Sequence, residues 1–115
     1  MYHGMLVREE WISSHRRVVI VEEGDRRVYN IDFYQRIGSL PPGSTRLAAA
    51  GEKRLYSLQL GEKCRAIIVE TPAGLELISL RLYTDITSDI AGGDAVKAAE
   101  ICEGEYREWL GSALS

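Results

Sequence analysis

Long hydrophobic runs are missing from this chain. Its longest apolar blocks, such as Val18-Val19-Ile20-Val21 and Ala66-Ile67-Ile68-Val69, fall far short of the ~20 residues that a membrane-spanning helix needs. Cysteine is scarce as well. Cys64 and Cys102 are the only two, too few for a disulfide scaffold. The only histidines, His3 and His15, form no close-spaced pair with each other or with the cysteines, so no zinc motif is spelled out and no metal is expected. An excess of positive charge is lacking too. Fourteen Lys and Arg face seventeen Asp and Glu, for a net charge of −3. That argues against the basic stripe of a nucleic-acid binder. Met1-Tyr2-His3-Gly4 shows no basic start leading into an apolar stretch, so no secretory leader is expected and the cytoplasm is the expected location. Asn and Gln together number three, and Arg outnumbers Lys eleven to three. Few thermolabile amides is a thermophile trait, although a GC-rich genome also favours Arg. In a thermophile an intracellular disulfide is compatible with the compartment.

What the chain does contain is the balance of a globular protein, 45% apolar and 27% charged over 115 residues. It reads as a single domain spanning 1–115. The pattern changes period near Thr84. Before it, apolar residues alternate or run in short blocks cut by Gly and Pro, as in strands and turns. After Asp94 they recur at helical spacing. The fold class expected is therefore α+β: an antiparallel β-meander of about six strands, as a sheet or an open barrel, closed by one C-terminal α-helix.

The most secure hairpin joins His15–Glu22 to Arg27–Gln35 through Glu23-Gly24-Asp25, with Tyr29, Ile31 and Phe33 facing the core. Gly38 to Ser44, with Pro41 and Pro42, is expected to be a surface loop. Thr45–Ala50 is ambiguous: Leu47-Ala48-Ala49-Ala50 favours helix, but Gly51 stops it early. Lys63–Glu70 and Leu75–Tyr83 read as strands, with Ile78, Leu80 and Leu82 on one face. Asp94 is expected to cap the helix, whose apolar face is Ala95, Ala98, Ala99, Cys102, Tyr106, Trp109 and Leu110. Gly104 marks either a kink or a close approach to the sheet. Tyr106 and Trp109 are expected to anchor the helix.

No phosphate loop or catalytic constellation is visible. Ala91-Gly92-Gly93-Asp94 precedes a helix, but Asp94 places a carboxylate where an anion would sit. Cys64 lies between Lys63 and Arg65, whose charges alternation sends to the opposite face, so an inert core thiol is expected. Asp85 and Asp89 are close in sequence and read as loop-capping residues. No catalytic or cofactor-binding residue is assigned. Trp11, Tyr34 and Tyr83 are expected to be partly exposed, which makes them candidate interface residues. One helix cannot cover both faces of such a sheet. Val19, Val21, Ile67 and Val69 would then invite a partner or a second copy of the chain.

The helix end Glu105-Tyr106-Arg107-Glu108-Trp109-Leu110-Gly111-Ser112-Ala113-Leu114 resembles the close of a pleckstrin-homology domain, a β-meander capped by a helix with a Trp in this place. That resemblance implies a small-ligand or anion-binding domain with basic residues near the first hairpin, where Arg16 and Arg17 are candidate anion contacts. In size and character the whole chain is also similar to the arcadins, accessory proteins of archaeal actin-like filaments. This second resemblance implies an accessory role without catalysis.

Three functional readings follow. The first is a non-enzymatic protein-interaction module, an accessory component of a larger assembly such as an archaeal actin-like cytoskeleton. It would self-associate, with no nucleic acid and no membrane span. The second is the pleckstrin-homology-like ligand or anion binder. The third is a small enzyme with an unrecognised site, which would have to gather Asp85, Asp89, His15 and Cys64 in one pocket.

Overall fold

A computed structural model describes residues 5–114, with side chains from Arg8 to Ala113. In chain order the elements are β1 (Met5–Ser13), β2 (Arg16–Glu23), β3 (Arg26–Ile37), β4 (Thr45–Ala50), β5 (Lys53–Gln59), β6 (Cys64–Thr71), β7 (Gly74–Asp85), a single 3-10 turn (Ile86–Ser88) and α1 (Ala95–Leu114). All strand pairs are antiparallel. The strand order is β1-β2-β3-β7-β6-β5-β4. Two meanders thus meet at the long central strands β3 and β7. The chain crosses from one to the other through the loop holding Pro41 and Pro42. Because β1 and β4 stand at opposite edges, the sheet is open and not a barrel.

Among the described residues seven strands are present where about six were expected, because Thr45–Ala50 is a strand. Its Leu-Ala-Ala-Ala composition favours helix, but Gly51 (φ +60°) reverses the chain immediately after it. Pairing with β5 then satisfies its backbone. All six of its residues are exposed. The β2–β3 hairpin forms as expected, with Gly24 in the left-handed region at its turn (φ +61°).

One face of the sheet carries the core. Val18, Ile20, Tyr29, Ile31, Cys64, Ala66, Ile68, Leu80 and Leu82 are all at most 1% exposed. Simple alternation places Ile78 with Leu80 and Leu82, and the structure corrects this. Ile67 pairs with Ser79, whereas Ile68 pairs with Leu77, so Ile78 is the extra residue of a β-bulge. A bulge switches the phase of a strand. Leu77 therefore takes the core position that alternation assigned to Ile78.

Helix α1 packs on β7, β2, β1 and β3. Its start is capped as expected: Asp94 Oδ1 accepts hydrogen bonds from the N–H groups of Val96 (2.9 Å) and Lys97 (3.3 Å). Ala95, Ala98, Ala99 and Cys102 are buried, and their small side chains bring the helix close to the sheet. Tyr106 is buried, while Trp109 and Leu110 are half-buried at its far end. Gly104 marks no close approach, since a Cβ there would meet nothing within 4 Å, and the helix runs through it. The close approach is instead at Gly61, where a Cβ would come within 3.0 Å of the Glu105 carboxylate. No helix among the described residues is long and apolar enough to cross a membrane.

Candidate functional site

The helix packs on one face of the sheet, and among the described residues no element covers the other, the bare face. Residues on the bare face are those of opposite phase to the core: Arg17, Val19 and Val21 on β2, Asn30, Asp32 and Tyr34 on β3, Arg81 and Tyr83 on β7, Arg65 and Ile67 on β6. Ile67 is 2% and Val21 6% exposed. Neighbouring side chains of this chain already cover most of the apolar surface expected to be bare.

Towards the β5–β7 side this face holds a cavity of ≈ 540 Å³. Four cationic side chains line it, Arg26, Lys63, Arg65 and Arg81, together with two carboxylates, Glu62 and Asp85. Arg65 and Arg81 stand directly opposite each other on adjacent strands, a like-charge arrangement that is unfavourable by itself. Arg65 donates to Ser57 Oγ (3.0 Å). The Nε of Arg81 is buried without a hydrogen-bond partner. Among the described residues none of the four cations makes an ion pair, although Arg8, Arg16, Arg17, Arg27, Arg36 and Arg54 all do. In the sequence these residues looked like ordinary outward charges. Only the strand register shows that they converge.

The three candidate interface residues all lie on the bare face. Trp11 is 59% and Tyr34 76% exposed, and Tyr83 is half-buried in the wall of the cavity. The candidate anion contacts are not brought together. As neighbours in a strand, Arg16 and Arg17 point to opposite faces. Arg16 lies on the helix side, paired with Glu103 (2.5 Å) and 5.6 Å from the centre of the Phe33 ring. Arg17 lies on the bare face, between Glu9 (3.8 Å), Asp32 (3.6 Å) and the Trp11 ring (5.9 Å). Both guanidinium groups are engaged within the chain, although Arg16 Nε and Nη2 and Arg17 Nε are buried without a hydrogen-bond partner.

The residues an enzyme would have had to assemble are likewise dispersed. His15 sits in the β1–β2 turn, Asp85 in the cavity wall, and Cys64 in the core against Cys102. Asp89 is 3% exposed and is held by the chain itself. It accepts hydrogen bonds from Arg27 Nη1 (2.7 Å), from the Tyr29 hydroxyl, and from the N–H groups of Ala91 (2.8 Å) and Gly93 (3.2 Å). Burial alone would raise its pKa. The bonds from Tyr29, Arg27 and the backbone outweigh that and lower it to about 2. The Tyr29 hydroxyl is pushed above its ordinary value, first by burial and then by its bond to Asp89. Arg27 is held firmly in its charged form by Asp89 and then Glu22. Asp89 therefore pins the segment between β7 and α1 to the sheet. Among the described residues no group of three or more His, Cys, Asp and Glu is arranged to hold a metal. His3 lies outside the described residues.

A second, apolar cleft of ≈ 330 Å³ lies on the helix side, between the Pro41-Pro42 loop and the Tyr106–Ala113 end of α1. No protein-family model, curated protein or solved structure matches this chain.

Proposed function

We propose that this protein is a non-enzymatic protein-interaction module that works as an accessory component of a larger assembly and associates with itself through the bare face of its sheet. The observation that carries this is the exposure of two large aromatics, Trp11 set against Arg17 and Tyr34 farther along β3, on a face the helix does not cover. Aromatic and Arg side chains in that combination are the residue types that dominate binding energy at protein interfaces. Their immediate surroundings are acidic and basic in turn, with Glu9 and Asp32 flanking Arg17, so a second copy meets complementary charge across a two-fold axis. The dispersal of His15, Cys64, Asp85 and Asp89 supports a role without catalysis. The finer placement, beside an archaeal actin-like filament, rests only on the likeness in size and character to the arcadins.

Light scattering at micromolar concentration tests the reading. The expected mass is a dimer or larger, falling to the monomer in Trp11→Ala/Tyr34→Ala. Both residues are exposed, so the double variant is expected to fold like the parent, which circular dichroism checks. A strictly monomeric parent, or a variant with the parent's mass, overturns self-association through this face.

A further inference from the structure

We infer that the basic cavity on the bare face binds a chain of phosphoryl groups, a di- or triphosphate. The inference starts from a contrast. This is an acidic chain in which six other arginines have found carboxylates. Among the described residues, four cations lining one cavity have not, and neither Glu62 nor Asp85 in the same wall forms an ion pair with them. Two of the four, Arg65 and Arg81, are cross-strand neighbours, and the buried Nε of Arg81 has a free donor. An anion between the two guanidinium groups removes their repulsion and satisfies that donor at once. Arginine suits the task because its planar fork pairs two N–H groups with two oxygens of a phosphate.

The register indicates how long the anion is. Beyond the Arg65–Arg81 pair, Lys63 lies opposite Tyr83 and Arg26 lies opposite Asp85. Positive charge is therefore placed at successive two-residue steps along β7, with the Asp85 carboxylate beside the last of them. At ~3.3 Å per residue, the row from Arg81 to Asp85 extends roughly 13 Å. One phosphate spans a single step, whereas a linked chain of phosphates follows the row. The cavity volume falls in the range of small-molecule sites.

Titration calorimetry at low salt tests this with three probes: inorganic tripolyphosphate, a nucleoside triphosphate and orthophosphate. Tripolyphosphate is expected to bind saturably with one-to-one stoichiometry. Orthophosphate is expected to bind at least about tenfold more weakly, because fewer charge-assisted bonds form. Raising the salt should weaken both through screening. A nucleoside triphosphate that binds like tripolyphosphate identifies the phosphate chain as the ligand. One that binds more tightly adds the nucleoside, and both results support the site. Arg81→Gln and Arg65→Gln are each expected to lower tripolyphosphate affinity at least about tenfold. Arg81→Gln, which removes one of two facing like charges, is not expected to lower the melting temperature, whereas Arg65→Gln also loses the bond to Ser57. Absence of saturable tripolyphosphate binding, equal affinity for orthophosphate, or parent-like affinity in both variants overturns the proposal.

A separate observation carries a second inference. The only two cysteines of the chain, Cys64 on β6 and Cys102 on α1, are both fully buried. Their sulfurs face each other at 2.7 Å across the sheet–helix interface. We propose that they form a disulfide that staples the helix to the sheet. In the folded thiol form, the bond to Cys102 and then burial push the Cys64 thiol well above its ordinary value, and Glu105 adds to this. Thiolate, the species that attacks a disulfide, is scarce there, so pairing takes place during folding, before the helix closes. With a low-molecular-weight disulfide as oxidant, the two S–H bonds and the oxidant's S–S bond break. One Cys64–Cys102 bond and two small thiols form, and two electrons and two protons pass to the oxidant.

The test is refolding from urea in a glutathione redox buffer, then denaturation with an alkylating agent present and intact-mass measurement. The expected mass lacks the two thiol hydrogens and carries no alkyl group. Cys102→Ser, treated alike, is expected to be alkylated at Cys64 or to carry a glutathione adduct. A refolded parent alkylated at both cysteines, or carrying glutathione, overturns the staple.

Discussion

Asp89→Ala is expected to lower the free energy of unfolding by about 3–5 kcal/mol, the cost of removing one partner from a buried ion pair. The loss is large because four donors depend on this one carboxylate: Arg27, the Tyr29 hydroxyl, and the N–H groups of Ala91 and Gly93. Arg27 keeps a second partner in Glu22 (2.7 Å), whereas the Tyr29 ring is fully buried and its hydroxyl loses the acceptor it donates to, while still accepting from the Gly93 N–H (2.8 Å). The same carboxylate predicts a pH dependence. Its pKa in the folded chain, about 2, lies below its ordinary 3.8. A lowered carboxylate pKa stabilises the fold fully above the unfolded value and loses that contribution as pH falls through the folded one. The parent is therefore expected to lose about 2 kcal/mol from this group between pH 5 and pH 2. In Asp89→Asn that increment should be missing. Urea denaturation at both pH values checks the two expectations together. A variant as stable as the parent at pH 5 would show that the network does not hold the β7–α1 segment.

Tyr106→Ala is expected to cost about 3–5 kcal/mol, the usual range for deleting a buried aromatic ring. Tyr106 is 5% exposed and is central to the far end of the helix. Its ring meets Phe33 edge-on at 5.3 Å and stacks with Trp109 at 6.2 Å, and its hydroxyl donates to Gln35 Oε1 (2.5 Å). Tyr106→Phe isolates the hydroxyl and should cost about 1 kcal/mol. Trp109 stacks on the outside of the pair and is only half-buried, so Trp109→Ala is expected to cost less than Tyr106→Ala. Chemical denaturation of the three variants gives the order. If Trp109→Ala proved the most damaging, Trp109 and not Tyr106 would be the anchor.

How far the sequence could be read depended on whether the signal was local. The β2–β3 hairpin was legible because Gly24 sits between two alternating segments, and the helix because Asp94 caps a run with a single apolar face. Thr45–Ala50 was not, because its residues are all exposed and an exposed edge strand need not alternate. Its conformation comes from β5 beside it. Ile78 was misplaced because a bulge is a property of two strands in register. One strand alone carries no sign of it.

The candidate site divides the same way. Trp11, Tyr34 and Tyr83 could be singled out by residue type, since large aromatics outside the core pattern are candidate contacts wherever they lie. Arg16 and Arg17 could be singled out too, but alternation sends them to opposite faces and the tertiary fold gives each its own carboxylates. Residues far apart in the chain, Arg26, Lys63, Arg65 and Arg81, come together only because β7 crosses the centre of the sheet to lie between β3 and β6. By itself the sequence determined the class of the fold, the single helix and its buried face, because periodicity and capping act within a few residues. Only the tertiary structure decided the strand order, the phase of β7, the convergence of unpaired cations and the meeting of Cys64 with Cys102. Those depend on pairing between segments distant in the chain, and the free energy of such pairing is not contained in either segment alone.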